Sequence, residues 1–574
     1  MLKLYHAGRA GRPQFDRKGV AVIMAESKVC VMHGYRCLFF VTHVLPSVLQ
    51  DRKSLENITS LSETIESCLK GSISEYLNAE ICNRTVTDIV SALEWLKTTY
   101  LYTRVLKNPR HYGIPTDVGS DMIKLDAWLT EKLLLANVSL LVKGGMASTD
   151  DDGYDLQPTS SGILMAENYI RLATMSSICK AGPKSTIEDL IWILSNSEEL
   201  TSSIVVRRDE KNSFLNPLNQ SPSVQYSIKE SNAPGKRLAR VKSANQKVFL
   251  LFMYALSSKC QHEFKNVSFY LKQEANGVVS KAVQIVQCMI KQFSTAPEMA
   301  QALSSALLLR KILVQKRWAD DPMLLTQAKD IGEVIASRLV KTGISSLREL
   351  LAADPRTLEN VAQKHFPWGT KMKETVSKIC PPPLQIQTKI ESNGNGSLQV
   401  QIRISMEEDN QHTASNGRGC SLLIYDLKKN SLISFRKLKY ESFAQEGLCI
   451  NASQTFQSDE NNSIIVKVMD DSILGHDAHA STRVVPSESK SSNSDERKPT
   501  RGSPNPVESK LVSMWTHGKP KGDVVKSTQM PPDAVILSTK KPQSKRNSSG
   551  IAGRDDADAF RKKYKNLMDF LQIE

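Results

Sequence analysis

The chain has 574 residues, of which 40% are hydrophobic and 24% are charged, so most of it can bury a core and wholesale disorder is excluded. Lysine and arginine outnumber aspartate and glutamate by 75 to 60, and the net charge of +15 makes a polyanion the natural partner. The ten cysteines stand singly, which argues against a disulfide framework or a zinc finger and favours a reducing compartment. Every apolar run is far shorter than the roughly 20 residues that cross a bilayer, so no membrane partner is expected.

The sharpest local signal is a turn rich in glycine and arginine, Gly8-Arg-Ala-Gly-Arg12, followed by an apolar strand pattern over 19–24. Glycines allow a tight loop, and two guanidiniums three residues apart can be aimed at one anion, such as a transferring phosphate. A solvated turn is the ordinary alternative. Because one strand cannot form a sheet, the segment predicts the end of a larger domain and a fragmentary or truncated gene product.

Several segments between residues 66 and 317 show the hydrophobic period of helices, whereas the stretch 207–247 is less regular and partly polar. Thr87-Asp88 is expected to cap one of them, and Pro158-Thr159 is expected to start another that runs to about Cys179. The predicted helices include 66–77, 89–97, 158–179, 273–294 and 302–317.

After Cys380-Pro-Pro-Pro383 the hydrophobic period changes to two, the signature of half-buried strands. Short strands at regular spacing indicate a small antiparallel sandwich. From about Thr482 the chain is rich in serine, proline and lysine, which predicts disorder. The predicted strands are 384–390, 398–404, 421–425, 431–435 and 463–468.

These segments together resemble the superfamily-two DNA/RNA helicases that carry a winged helix, a ratchet bundle and a helical and immunoglobulin-like tail. The turn at Gly8 resembles their motif VI. Within that group the chain looks most like the meiotic crossover-promoting DNA helicases and points to a plant member. The resemblance also rests on Glu66-Ser-Cys-Leu69, Leu77-Asn-Ala-Glu-Ile81, Ala92-Leu-Glu-Trp-Leu96, Tyr100-Leu-Tyr-Thr-Arg104, Lys107-Asn-Pro-Arg-His-Tyr-Gly113, Pro158-Thr-Ser-Ser-Gly162, Ala302-Leu-Ser-Ser-Ala-Leu-Leu-Leu309, Ala352-Ala-Asp-Pro-Arg356 and Phe366-Pro-Trp-Gly369.

The resemblance implies a multidomain, mainly α-helical fold. Residues 26–62 do not match the family, and a retained intron or a wrong gene model explains them better than a genuine insertion. The implied parts are the end of a second RecA-like α/β lobe (1–25), the unmatched insert (26–62), a winged helix (63–115), a helical ratchet bundle (116–317), a helix-hairpin-helix module (318–380), an immunoglobulin-like β-sandwich (381–480) and a basic disordered tail (481–574).

The resemblance further implies the C-terminal part of a nuclear motor that hydrolyses ATP with Mg²⁺ and moves 3′ to 5′ on DNA in meiotic recombination and crossover formation. Its partners would be single-stranded or branched DNA and meiotic recombination proteins. Arg9 and Arg12 match the motif VI arginines that reach the ATP phosphates, and Gly8 and Gly11 shape their loop, although Tyr5 stands where that motif usually has Gln. The sequence contains neither G-x-x-x-x-G-K-[ST] nor a DE-x-H box. This chain alone is therefore expected neither to bind ATP and Mg²⁺ fully nor to hydrolyse ATP.

Two segments are candidates for contact with nucleic acid. In the implied winged helix, Tyr100, Arg104 and Lys107 bring aromatic and basic groups together, as base stacking and phosphate neutralisation require. The alternative is that Tyr100 and the neighbouring Tyr102 pack in the core of the domain. In the implied ratchet helix the candidates are Ser280, Lys281 and Lys291, with Gln284 beside them. A solvated helix face accounts for these four almost equally well.

Other polar groups give weaker signals. Lys329-Asp330-Ile331-Gly332 resembles a helix-hairpin-helix turn, but Asp330 replaces its first glycine and its carboxylate would repel phosphate, so this turn is expected to pack rather than bind. No metal site is predicted, because the histidines at 111, 262, 365 and 412 lie far apart without a paired cysteine or acid. Two alternative functions stay open: a non-catalytic scaffold that binds nucleic acid or protein, and a fragment of a spliceosomal-type RNA helicase.

Overall fold

The structure is a computed structural model that describes residues 65–119, 121–230, 235–393, 397–406, 418–443, 448–455 and 463–483. The predicted ATP-contacting residues Gly8, Arg9, Gly11 and Arg12 lie outside these residues. The unmatched insert 26–62 and the tail beyond residue 483 lie outside them too.

The first part of the described chain is a helical unit that ends in a small hairpin. Asp88 caps its second helix, as predicted, because its Oδ1 accepts a hydrogen bond from the Ser91 amide at 2.8 Å. A π-helical stretch, Leu129–Leu135, joins α5 to α6 and packs into the core of the first helices. The elements are α1 (Ile73–Cys82), α2 (Ile89–Thr98), α3 (Tyr100–Lys107), α4 (Thr116–Gly119), α5 (Met122–Trp128), α6 (Ala136–Lys143), β1 (Ala147–Thr149) and β2 (Leu156–Pro158).

A larger helical bundle follows, built around one 27-residue helix, α15. The apolar face of α15 packs on α13 and α16 and is buried from Leu271 to Phe293. The bundle consists of α7 (Ser160–Glu167), α8 (Leu172–Cys179), α9 (Ile187–Ser195), α10 (Glu198–Thr201), α11 (Arg208–Glu210), α12 (Asn216–Gln220), α13 (Ala244–Leu256), α14 (Ser258–Glu263), α15 (Phe269–Thr295) and α16 (Ala300–Gln315).

The single helix predicted from 158 to 179 is in fact two helices, and that prediction was wrong. The side chain of Asn168 donates back to the Leu164 carbonyl at 2.7 Å, and Tyr169 adopts a left-handed φ of 52°. Because a left-handed residue cannot continue a right-handed helix, α7 ends here and the chain restarts as α8. The helix predicted from 302 to 317 is confirmed as α16, displaced by two residues.

A buried lysine fixes the start of α15 in the bundle. Lys247 on α13 lies fully inside the protein, and its Nζ is 2.7 Å from Glu210 Oε2 and 2.7 Å from Glu274 Oε2 on α15. The same Nζ donates to the Val205 carbonyl at 2.9 Å. Since a buried charge is costly unless it is paired and hydrogen-bonded, these contacts hold α13, α15 and the 205–210 segment in one arrangement.

Four short helices with their own core come next. Leu339, Leu350, Leu358 and Val376 are fully buried in that core. In the preceding turn Ile331 is buried, whereas Lys329 and Asp330 are exposed, and Asp330 adopts a left-handed φ of 71°. The helices are α17 (Glu333–Lys341), α18 (Leu347–Ala352), α19 (Pro355–Ala362) and α20 (Trp368–Ile379).

The last described part is an antiparallel β-sandwich, as predicted. A three-stranded sheet of order β3-β4-β7 packs on a four-stranded sheet of order β6-β5-β8-β9. Alternate residues such as Ile402, Ile404, Leu422 and Val466 fill the space between the sheets. The strands are β3 (Leu384–Asn393), β4 (Ser397–Met406), β5 (Gly419–Asp426), β6 (Ser431–Lys439), β7 (Leu448–Thr455), β8 (Ser463–Asp470) and β9 (Ala478–Arg483).

The outer face of the four-stranded sheet is docked on the bundle. Leu423 and Tyr425 point away from the sandwich interior and join the core of the helices. In the β5–β6 turn, Asn430 donates through Nδ2 to the carbonyls of Pro183 and Glu298 and accepts from the Gln301 amide at 2.8 Å. The sandwich and the bundle therefore share both apolar and polar contacts.

Candidate nucleic-acid interface

A half-buried carboxylate, that of Glu66, organises the helical unit around α3. Glu66 accepts two hydrogen bonds from the Arg104 guanidinium, at 2.7 and 3.1 Å, and further ones from Asn108 Nδ2 at 3.0 Å and from the Tyr112 hydroxyl at 2.8 Å. These donors, with Arg104 first, lower the pKa of Glu66 to about 2. A paired fork of this kind favours the ionised carboxylate and fixes its geometry.

The structure places the three predicted residues of α3 in different surroundings. Arg104 is only 8% exposed, and its guanidinium is paired with Glu66. Its contact with nucleic acid stays a prediction, and such a contact would have to compete with this ion pair. Tyr100 is 54% exposed and donates its hydroxyl to the Ile65 carbonyl at 2.8 Å. Lys107 is exposed. Tyr100 and Lys107 are therefore open to a ligand.

The neighbouring Tyr102 packs in the core, as the alternative to nucleic-acid contact predicted. It is buried, and its hydroxyl donates to Asp126 Oδ1 at 2.9 Å. Burial, together with that hydrogen bond, raises the pKa of Tyr102 to about 12. This tyrosine therefore ties α3 to α5 and is not presented to solvent.

The hairpin between β1 and β2 is acidic at its tip. Asp150, Asp151, Asp152 and Asp155 lie in its loop, and Asp150 Oδ1 accepts from the amides of Tyr154 and Asp155. Like charges repel the phosphates of a nucleic acid backbone. This loop is consequently an unsuitable surface for nucleic acid, in contrast to α3.

The predicted residues of α15 lie on its solvent-facing side. Ser280 and Lys281 are exposed, and the Ser280 hydroxyl donates back to the Asn276 carbonyl at 2.9 Å. Lys291 is half-buried and lies 3.3 Å from Glu167 Oε2 on α7. Gln284 Nε2 donates to the Asn168 carbonyl at 2.9 Å. The stripe therefore has a free part near Lys281 and a part near Lys291 that is engaged with α7.

Two exposed aromatic residues, Phe269 and Tyr270, start α15 and were not predicted as site residues from the sequence. Phe269 and Tyr270 are 69% and 66% exposed, and their ring centroids are 6.4 Å apart. With 3.6 residues per turn, Phe269 falls on the polar side with Asn276 and Ser280, opposite the apolar stripe. The sequence signal that could have identified this site is an aromatic residue placed outside the apolar stripe of the helix.

Within the described residues, no hydrogen bond or ion pair links α3 to α15, so the structure does not bring the two predicted groups together directly. The same part of the chain contains no group of three or more histidine, cysteine, aspartate or glutamate side chains that could hold a metal ion. No helix in the described ranges is both long enough and apolar enough to span a bilayer.

Two known domain families match the described helical parts and the sandwich. The model of the Sec63 Brl domain matches residues 158–483, more than half of the chain. This chain belongs to the Sec63 Brl family. A winged helix-turn-helix domain model matches residues 66–141. The predicted winged helix and the mainly helical fold that ends in a sandwich are thereby confirmed.

The Sec63 Brl domain and the winged helix of this chain are similar to parts of larger helicases. The ATP-dependent DNA helicase MER3 homolog of Oryza sativa subsp. japonica is 32% identical over 443 residues, which are 77% of this chain and 34% of that protein. The ATP-dependent DNA helicase homolog MER3 of Arabidopsis thaliana is 31% identical over 444 residues, which are 77% of this chain and 36% of that protein. The chain thus spans about a third of the length of these relatives, and the predicted resemblance to plant DNA helicases is confirmed.

A relative of the spliceosomal type is also similar, at lower identity. The U5 small nuclear ribonucleoprotein 200 kDa helicase of Drosophila melanogaster is 25% identical over 436 residues, which are 71% of this chain and 17% of that protein. The shared domains explain this second likeness.

Proposed function

We propose that this chain is the nucleic-acid-binding part of an ATP-dependent DNA helicase of the MER3 type. The exposed polar stripe of α15 carries the proposal, because it presents Ser280 and Lys281 on the solvent side of a helix whose opposite face is packed. Such a stripe offers hydrogen-bond donors and positive charge to a strand without changing the fold. Tyr100 and Lys107 on α3 offer a second contact.

The finer parts of the proposal come from the likeness to the MER3 relatives. The whole protein would move 3′ to 5′ on single-stranded or branched DNA, in the nucleus, during meiotic recombination and crossover formation, with meiotic recombination proteins as partners. ATP and Mg²⁺ would be its cofactors, with Arg9 and Arg12 reaching the phosphates and Gly8 and Gly11 shaping their loop. These four residues lie outside the part of the chain that the structure describes.

The two alternatives differ from this proposal in what the chain binds. A spliceosomal-type helicase would favour RNA, and the relative of that type is less similar to this chain than the MER3 relatives are. A scaffold would need no nucleic acid on α15. Binding measurements on the full chain therefore separate the three functions.

The experiment titrates the 574-residue protein into labelled single-stranded DNA and RNA of the same sequence and follows fluorescence anisotropy at several salt concentrations. We expect tighter binding to DNA and a steep loss of affinity with salt, because phosphate neutralisation releases counterions. Lys281→Glu should weaken binding. Lys429→Glu makes the same charge change at an exposed position of the sandwich and should not. Tighter binding to RNA would support the spliceosomal alternative, and no binding would support the scaffold.

A further inference from the structure

A polar cavity lies where the start of α15 meets the end of α16 and the start of α17. Its volume is about 670 Å³, within the range of ligand-binding pockets. Lys265 from the α14–α15 loop, Lys272 and Asn276 from α15, Lys316 from the end of α16, and Glu333 from α17 line it. The cavity is separate from the Lys281–Lys291 stripe and was not foreseen from the sequence.

The lining of this cavity carries a net positive charge, because its carboxylates are already paired with an arginine. Arg317, another lining residue, lies 2.7 Å from Glu333 Oε1 and 3.7 Å from Asp321 Oδ2, so both carboxylates face a guanidinium. The three lysines, at positions 265, 272 and 316, are exposed and form no ion pair with any residue that the structure describes. Three unpaired ammonium groups around one polar cavity favour an anion with several oxygens, such as phosphate.

Two of the three lysines, Lys272 and Lys316, already make side-chain hydrogen bonds at the cavity. Lys316 Nζ donates to Asn276 Oδ1 at 2.9 Å, and Lys272 Nζ donates to the Lys265 carbonyl at 3.3 Å. Each ammonium has three donors, so each keeps capacity for a ligand. Because neutral oxygens are their partners here, an incoming phosphate would not have to displace a competing carboxylate.

The exposed rings at the start of α15 lie next to this cavity along the helix. Phe269 precedes Lys272 by three residues, which is less than one turn and about 5 Å along the axis. Tyr270 lines a neighbouring cavity that shares Lys265 with the first. Exposed rings beside phosphate-binding groups suit a strand whose bases are unstacked, since a duplex keeps its base faces hidden.

We propose that Lys265, Lys272 and Lys316 bind the backbone phosphate of a single nucleic acid strand while Phe269 and Tyr270 stack on its bases. This site extends the proposed function, on which it rests, to a second group of residues that is independent of the polar stripe. The order of groups along α15 places the site N-terminal to that stripe.

The test uses the full chain, a labelled oligothymidylate and an abasic oligonucleotide of the same length. Lys265→Ala with Lys272→Ala should weaken binding to both oligonucleotides and lower the slope of log affinity against log salt by about 1.4, that is about 0.7 for each lost phosphate contact on a single strand. Lys428→Ala with Lys429→Ala removes two exposed lysines of the sandwich and should leave the slope unchanged.

The rings have a different expected signature. Phe269→Ser with Tyr270→Ser should weaken binding to oligothymidylate about tenfold or more, with the abasic affinity and the salt slope unchanged. Phe269→Tyr with Tyr270→Phe keeps both rings and should bind like the wild type. Circular dichroism melts check that every variant folds.

The outcomes separate this site from the proposed function. If Lys281→Glu weakens binding but the lysine pair leaves affinity and slope unchanged, the cavity proposal is overturned while the proposed function stands. A loss in the ring variant that is equal on both oligonucleotides overturns the stacking role. If the wild type binds neither oligonucleotide at low salt, both proposals fail.

Discussion

Asn78 donates through Nδ2 to the Gly162 carbonyl at 2.9 Å, although 84 residues separate the two in sequence. Asn78 is on α1 of the winged helix and Gly162 is in the first turn of α7, so this fully buried contact joins the winged helix to the bundle. A Cβ at position 162 would lie 2.0 Å from the Met146 carbonyl oxygen. The close approach of two main chains therefore requires glycine at this position.

Gly162→Ala should lower the free energy of unfolding by about 1–3 kcal/mol, because the backbone of Met146 cannot yield as a flexible side chain would. Gly277→Ala is the matched control: it lies in α15 with open space around the added methyl group, and it should stabilise by about 0.5–1 kcal/mol. Urea unfolding followed by circular dichroism measures both. Equal effects at the two positions would contradict the packing argument.

Glu66→Gln should lower the melting temperature at pH 7, because the neutral amide loses the charge that attracts Arg104. The folded-state pKa of Glu66, about 2, lies below its ordinary value of 4.5, so the wild type keeps this stabilisation above pH 4.5 and loses it as the pH falls towards 2. The difference between wild type and variant should therefore shrink over that interval.

Thermal melts across this pH range check the prediction for Glu66, with Glu94→Gln, on the exposed side of α2, as the control. A difference that stays constant from pH 7 to pH 3 would mean that the ion pair contributes nothing through its charge.

Removing either partner of the ion pair between α16 and the sandwich should lower the free energy of unfolding, but by different amounts. Lys311 is 1% exposed and lies 2.5 Å from Asp477 Oδ2, whose side chain is 28% exposed. Asp477→Asn leaves a buried ammonium without a countercharge and should cost about 3 kcal/mol. Lys311→Met leaves only a half-exposed carboxylate that water can reach, and it should cost less. Urea unfolding of both variants gives the order, and a larger loss for Lys311→Met would contradict it.

The full 574-residue chain should show no DNA-stimulated ATP turnover, because the sequence has neither the phosphate-cradling loop nor the carboxylate motif that holds Mg²⁺. Phosphate release measured with and without single-stranded DNA tests this. Arg12→Ala should leave the background rate unchanged. A rate that requires the chain and disappears with Arg12→Ala would show that these motifs are dispensable.

The regular elements could be predicted because their signals are local. The strand pattern after Cys380 and the apolar stripe of α15 both follow from residues within one element. The break between α7 and α8 was missed because it depends on the left-handed conformation of Tyr169, which has no strong sequence signature. Local periodicity thus predicts that an element exists better than it predicts where the element ends.

The contacts of the site were harder to foresee because they join distant segments. Arg104 looks like a phosphate ligand in sequence, and only the fold shows Glu66, 38 residues earlier, in front of it. Likewise Lys265, Lys272 and Lys316 come from two helices and a loop, and no sequence spacing unites them. Charge type is readable in a sequence, whereas the partner of each charge is a property of the fold.

The docking of Leu423, Tyr425 and Asn430 on the helices decides which surfaces the sandwich can offer to other molecules. In the described part of the sandwich, the docked face of the four-stranded sheet is withdrawn from solvent, so another protein approaching the sandwich would meet the opposite, three-stranded sheet. On β3 that accessible side presents exposed Gln385, Gln387 and Lys389, all polar. Recognition on this side of the sandwich would thus depend on hydrogen bonds and charge, with little burial of apolar surface.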